Sequence, residues 1–218
     1  MPTITKENYL KAIISLSRHQ QKVSITALAA KMQVSKPTAN DMVKKMKLKN
    51  WVVYEKYKPL QLTPEGQKVA ALIVRKHRLA EMFLDEVMGF GWEEVHEIAE
   101  DIEHLKSQKF FDRMDEILGF PTVDPHGSPI PDKEGKISNL NYLNLTALKK
   151  GEKGILRGLT KSNKDLLLYL NKKKIKLGTE LIIHDIEKFD KSFEILLEDE
   201  RKITLTFDAC QRLLIEKL

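Results

Sequence analysis

The densest chemical signal in this chain is a run of metal-ligand-type side chains, His96, Glu100, Glu103 and His104, preceded by His77 and Glu81. An α-helix turns about 100° per residue, so positions 96, 100, 103 and 104 fall within an arc of roughly 100° on one face. His77 and Glu81 are four apart and share a face in the same way. Imidazole and carboxylate donors without a thiolate suit Mn2+ or Fe2+, with Zn2+ and Ni2+ able to use the same donors in vitro. The plainer alternative is a solvated, salt-bridged helix face, because Lys106 and Lys109 follow directly. The spacing is not the His-Glu-x-x-His of zinc proteases. Asp124 and His126 add two candidates, in a segment that otherwise reads as an ordinary proline-rich turn.

The elements that would carry these residues follow from periodicity and capping signals. Thr5 can cap a first helix with Tyr9, Leu10, Ile13 and Leu16 as its apolar stripe. Ser24 opens a second helix, Ile25 to Met32, and Ser35 caps a third after a short turn. Ala39, Met42, Val43 and Met46 give this third helix one buried face, and Pro37 is tolerated in its first turn. Trp51 to Glu55 and Leu60 to Leu62 read as a β-hairpin with a basic tip. Helix, helix-turn-helix and hairpin together make a winged helix-turn-helix over residues 1–63. Thr63-Pro64 then starts a long helix to about Met88, interrupted by Gly89-Phe90-Gly91. A second long helix is expected from Trp92 to about Leu118, with Val95, Ile98, Ile102 and Leu105 as its stripe. These helices, within 64–136, carry more apolar surface than a small domain needs, so a dimer interface is expected there. After a proline-marked linker, short β-type runs around one helix near Asp165–Leu170 predict a small β-barrel-like domain over 145–218.

Charge is distributed unevenly. The formal net charge is +6, yet residues 1–63 carry 12 Lys/Arg against 3 Asp/Glu. A basic module on a mildly acidic body is the footprint of a nucleic-acid reader. On the third helix Lys36, Thr38, Asn40, Asp41, Lys44, Lys45 and Lys47 face outward, and Ser35 and Pro37 at its start join the expected DNA-contacting set. Ser35 and Thr38 suit phosphate contact at the helix N-terminus, and the Asn40 amide suits a base edge. Lys56 and Lys58 on the hairpin can reach the backbone of double-stranded DNA. The alternative is a winged domain used for protein contact. No apolar run approaches the length of a membrane span, and the N-terminus lacks the layout of a secretory signal. The single cysteine, Cys210, excludes an intramolecular disulfide and fits a reducing cytoplasm.

The residues RKHRLAE (75–81), VHEIAEDIEHL (95–105), PHGSPIP (125–131) and SKPTANDMVKKM (35–46) resemble the diphtheria toxin repressor family of metal-dependent regulators over nearly the whole chain. The resemblance implies a mainly α protein with small β elements. Its parts would be a winged helix-turn-helix, a helical dimerisation domain and a C-terminal SH3-like β-barrel of the ferrous-transport-protein-A type. It also implies two neighbouring metal sites per subunit. One would use Glu100, Glu103 and His104 with Asn8 of the first helix. The other would use His77, Glu81 and His96, completed by the proline-rich loop and by the SH3-like domain, where Asp165 is the candidate ligand. In a manganese-responsive branch the loop is Cys-Pro-His, so Asp124 replaces a thiolate with a carboxylate. Glu100 stands where the iron-type regulators carry Cys, which favours manganese. The expected function is repression by a cytoplasmic homodimer that binds a palindromic operator with Mn2+ as corepressor. The rivals are an Fe2+-dependent repressor of the same family, a winged-helix regulator sensing an organic ligand, and a metal-dependent hydrolase. The last lacks a nucleophile elbow, a P-loop or a zincin motif, so no enzyme is expected.

Overall fold

The computed structural model describes residues 3–19, 22–55 and 58–218. They divide into two compact units. The first comprises Met1–Ala80, Ala99–Ile117 and Ile130–Ser138, and the second Glu81–Ile98, Leu118–Pro129 and Asn139–Leu218.

In the first unit, α1 (Ile4–His19), α2 (Ile25–Lys31) and α3 (Lys36–Lys47) precede a short antiparallel hairpin, β1 (Val52–Val53) and β2 (Gln61–Leu62). The helix α1 starts before the expected Thr5 cap, because the Thr3 carbonyl accepts from the Lys6 and Glu7 amides. Ser24 and Ser35 cap α2 and α3 as their sequence positions demand, each hydroxyl accepting a backbone amide three residues on. The intervening turn places Gln33 at φ 54°, a left-handed conformation that redirects the chain between α2 and α3. Leu10, Ile13, Leu28, Ala39, Val43, Met46, Val52 and Leu60 form one core, so the hydrophobic faces of three helices and the hairpin meet. The wing strands are shorter than the runs suggested, and Leu60 also bridges to Val23. This is a winged helix-turn-helix.

The long helix α4 (Pro64–Glu86) starts where Thr63 Oγ1 accepts the Gly66 amide and donates to the Asn50 carbonyl. A Cβ on Gly66 would lie 1.8 Å from the Trp51 carbonyl oxygen, so only glycine lets the first turn sit against the wing. The helix ends with Gly89 at φ 74°, a left-handed glycine cap.

The expected single helix from Trp92 to Leu118 is two: α5 (Val95–Ile102) and α6 (Gln108–Ile117). Ser107 supplies the reason. Its hydroxyl and carbonyl both accept from the Phe110 amide and so cap α6, while Leu105 N–H turns back to Ile102. In the first unit Arg75 on α4 reaches the Asp115 carboxylate on α6 and the Pro131 carbonyl, bracing these segments from within. Leu105, Phe110 and Ile117 remain exposed.

In the second unit, β3 (Leu143–Asn144), β4 (Lys153–Leu159), β5 (Glu180–Ile186), β6 (Phe193–Leu197), β7 (Lys202–Leu205) and β8 (Leu213–Lys217) form one antiparallel sheet. Its order is β3-β8-β4-β5-β6-β7. The helices α7 (Lys164–Lys172) and α8 (Phe207–Cys210) lie between strands in sequence. Leu156, Leu170, Ile183, Ile195, Leu205, Leu213 and Ile215 fill its core. Among the described residues β3 and β7 are edges, so the SH3-like sheet does not close into the expected barrel. Strands β3 and β8 and the short helix α8 lie beyond the sequence expectations. Among the described residues, no helix is long and apolar enough to cross a membrane.

Candidate metal centre and nucleic-acid interface

The outer face of α3 carries Ser35, Lys36, Pro37, Thr38 and Lys44, all exposed. Ser35 Oγ lies 2.8 Å from Thr38 Oγ1, so both hydroxyls stand together at the helix N-terminus, where backbone amides favour an anion. Asn40 is half-buried, and its Oδ1 accepts a 2.5 Å hydrogen bond from the Tyr54 hydroxyl. Lys47 Nζ donates to the Tyr54 carbonyl. The expected base reader is therefore also a tie between α3 and the wing. Lys58 pairs with Glu55 at 2.6 Å on the surface, and that contact holds the Glu55 carboxyl below its ordinary pKa. An exposed pair of this kind is easily exchanged for a phosphate. The expected partner Lys56 lies outside the described residues.

The second half of α5 and the turn after it build a charged cluster in the first unit. Glu103 is 1% exposed; its amide still bonds the Ala99 carbonyl, whereas His104 stands in the turn beyond α5. His77 Nδ1 on α4 lies 2.6 Å from Glu103 Oε2. His104 Nδ1 lies 2.6 Å from Glu7 Oε2 on α1. A carboxylate only accepts, so Nδ1 carries the proton. That makes Nε2, 3.6 Å from Glu103 Oε1, the lone-pair atom of the neutral ring. Lys11 Nζ donates to Glu100 Oε1 at 2.6 Å and to both oxygens of Glu103 at 2.7 and 2.8 Å. Asn8 shares this face of α1, and its buried Oδ1 has no hydrogen-bond partner among the described residues. Lys76 is drawn off to the Leu105 carbonyl; burial lowers its pKa, against the opposing pull of Glu7 and Glu103.

In the second unit Glu81, Asp124 and His126 are 3%, 3% and 5% exposed, and one ligand-type atom from each lies within 4.8 Å of the others. His96 Nδ1 lies 3.0 Å from Glu81 Oε1, which adds a fourth donor. His126 Nε2 lies 2.8 Å from the Trp92 carbonyl, and the ring stacks on that indole. A carbonyl cannot donate, so Nε2 carries the proton and Nδ1 presents the lone pair, 4.0 Å from Glu81 Oε2. Fixing a metal-ligating imidazole through its far nitrogen is the usual device for setting the tautomer. Asp124 Oδ1 accepts the amides of His126 and Ser128, which orients the carboxylate. The loop is pinned to β4, where the Leu159 amide donates to the His126 carbonyl. Asp85, one turn beyond Glu81, has its carboxyl raised chiefly by burial, with Glu86 adding to the rise.

This donor set fits a divalent ion. It offers buried oxygens and an oriented imidazole lone pair with no thiolate. Cys210 lies in the C-terminal core, where burial pushes its thiol up to about 12. Of the expected ligands, Glu81, His96, Asp124 and His126 come together in the second unit. Glu100, Glu103 and His104 come together in the first, joined by His77. Asp165 is not in either group. It stands exposed in the first turn of α7, beside a shallow cleft with Asn163, Tyr169, Thr206, Asp208 and Arg212. Glu7, Lys11 and Asp85 were missed. On sequence alone they are ordinary charged helix residues, and only the partners brought by other elements set them apart.

Comparison with known proteins agrees in all parts of the chain. Residues 1–60 match the iron dependent repressor N-terminal DNA binding domain, and 63–132 the iron dependent repressor metal binding and dimerisation domain. Residues 143–217 match the FeoA domain. The iron-dependent repressor IdeR of Mycobacterium leprae is 32% identical over 154 residues, 67% of each chain. The diphtheria toxin repressor of Corynebacterium diphtheriae is 33% identical over 127 residues, 58% of this chain and 56% of that one. A solved manganese-dependent transcriptional repressor in complex with manganese superposes with a TM-score of 0.87 at 31% identity, covering 98% of this chain and 100% of its own. With a basic winged helix joined to buried carboxylate–imidazole clusters, the chain belongs to the diphtheria toxin repressor family of metal-dependent regulators.

Proposed function

We propose that this chain is a metal-dependent DNA-binding repressor that acts as a homodimer in the cytoplasm and is not an enzyme. Three modules divide the work: 1–63 reads DNA, 64–136 dimerises and gathers metal ligands, and 145–218 carries the SH3-like sheet. The observation that supports the reading most is the buried group of Glu81, Asp124 and His126, with the His126 lone pair set by the Trp92 carbonyl. Two buried carboxylates at such short range repel unless a cation or a proton lies between them. A bound Mn2+ or Fe2+ supplies that positive charge and holds the carboxylates and imidazoles as one unit. Glu81 is on α4 and His126 on the loop fastened to β4, so closing the group ties the end of α4 to that loop. The DNA-competent state is the one in which these side chains are gathered, and corepression is a shift of population toward it. Hard oxygen donors at Asp124 and Glu81 favour Mn2+ as the corepressor.

Two such winged helices across a two-fold axis would fit successive major grooves of a palindromic operator. Retention of operator DNA by the full chain is expected with micromolar Mn2+, an order-of-magnitude expectation for carboxylate-rich regulatory sites, and to vanish with a chelator. It should fall steeply with salt, because the lysines release counterions. Equal affinity with and without metal would defeat the reading. A binding-site selection tests the interface more finely. Asn40→Ala is expected to change base preference and loosen the wing through Tyr54, at a cost of about 1–3 kcal/mol at the position read. Lys58→Ala is expected to weaken all sequences alike, and an unchanged motif and affinity for Asn40→Ala would remove it from readout.

A further inference from the structure

We propose that Lys11 is a built-in cation that takes the place of a divalent ion in the Glu100–Glu103 cluster. The inference deepens the metal-dependent reading above and rests on it. The Lys11 ammonium nitrogen lies 2.6 Å from Glu100 Oε1 and 2.7 and 2.8 Å from the two oxygens of Glu103. It thus touches three carboxylate oxygens of two residues, which is where a metal shared by Glu100 and Glu103 would have to bind. A divalent ion contacts carboxylate oxygen at about 2.0–2.6 Å, so ion and ammonium would compete for the same oxygens and repel each other at contact range.

The cluster favours keeping the ammonium. The Glu103 side chain is 0% exposed, and a buried carboxylate needs a cation or donated hydrogen bonds. The Lys11 side chain is 20% exposed, which shields its contacts from water. Among the described residues, the other ion-pair contacts of Glu103 are imidazoles, His77 Nδ1 at 2.6 Å and His104 Nε2 at 3.6 Å, which carry charge only when protonated. Lys76, the other nearby ammonium, is committed to the Leu105 carbonyl. Lys11 sits on α1, and its partners on α5 and the turn that follows, so it also ties the DNA-reading helices to the dimerisation segment without metal. In this chain the second-unit cluster of Glu81, His96, Asp124 and His126 would then be the metal-responsive one.

Counting bound Mn2+ by equilibrium dialysis of the full chain tests this. Wild type and Lys11→Arg, which keeps the charge, are expected to bind the same number of ions per subunit. Lys11→Met is expected to bind about one more. Its thermal melting temperature in chelator should fall, and Mn2+ should restore it by more than it raises that of the wild type. In an Asp124→Ala background, with the other cluster disabled, the chain with Lys11 should bind Mn2+ at least tenfold more weakly than the Lys11→Met double variant. Equal, non-zero counts for wild type and Lys11→Met overturn the role of Lys11 and leave the metal-dependent reading standing. Absence of Mn2+ from both chains overturns both. If Lys11→Met does not fold, Lys11→Gln with the same count decides between the same outcomes.

Discussion

Gly127→Ala is expected to raise the Mn2+ concentration needed for operator binding by about two orders of magnitude or to abolish the response. Gly127 has φ 80°, a left-handed conformation that costs a non-glycine residue of order 1–3 kcal/mol. The larger obstacle is steric. A Cβ there would lie 2.1 Å from the Arg157 carbonyl oxygen and 2.4 Å from Gly158 Cα, both backbone atoms of β4 that cannot swing aside. The loop would have to lift from β4, breaking the bond from the Leu159 amide to the His126 carbonyl and moving Asp124 and His126 together. A ligand displaced by an ångström forfeits most of its contribution to a preorganised site. The N-terminal core shares none of these contacts, so the chain should keep its helical content in chelator. Mn2+ titrations of DNA retention and of intrinsic tryptophan emission, with Trp92 stacked on His126, give two readouts. An unchanged Mn2+ curve for Gly127→Ala would show that the loop does not carry ligands.

Asp124→Asn and Asp124→Ala separate charge from scaffold. Asparagine retains an oxygen that can accept the amides of His126 and Ser128, so the turn should survive and stability in chelator should change little. The negative charge is lost, and the Mn2+ needed for half-maximal DNA binding is expected to rise at least tenfold, about 1.4 kcal/mol. Alanine removes both functions, so the rise should be larger and accompanied by destabilisation of about 1–3 kcal/mol from the unpaired buried amides. Asp124→Cys should shift preference toward softer ions such as Zn2+. If Asp124→Asn titrates with Mn2+ like wild type, the carboxylate is a loop brace only. If Fe2+ under anaerobic conditions activates at a much lower concentration than Mn2+, the preference for manganese falls.

Local signals in the sequence determined the N-terminal module. Ser24, Ser35 and Thr63-Pro64 are capping signals whose geometry lies within three residues, and the stripes of α1 and α3 need only helical periodicity to be read. The ligand types and their grouping near residues 77–126 were equally legible, because His, Glu and Asp at helical spacing announce their chemistry. The break at residues 103–107 was less so. An apolar stripe continued across it, and the competing Ser107 cap is worth only about 1 kcal/mol, too little to outvote periodicity in a linear reading.

Tertiary structure decided what each candidate does. Nothing near Lys11 in sequence distinguishes it from any lysine of an amphipathic helix, and its role comes from carboxylates 89 and 92 residues away. The His126 tautomer depends on a carbonyl 34 residues earlier, and the position of its loop on a β4 carbonyl that tolerates no Cβ. Asp165 had the right residue type, but α7 leaves it exposed and outside the donor group. The sheet edges β3 and β7 likewise stay apart because strand closure depends on pairing between residues far apart in sequence. Residue type and short-range spacing determine which chemistry is available. Burial, tautomer and charge pairing depend on long-range contacts, because they are set by which elements pack together and how much water they exclude.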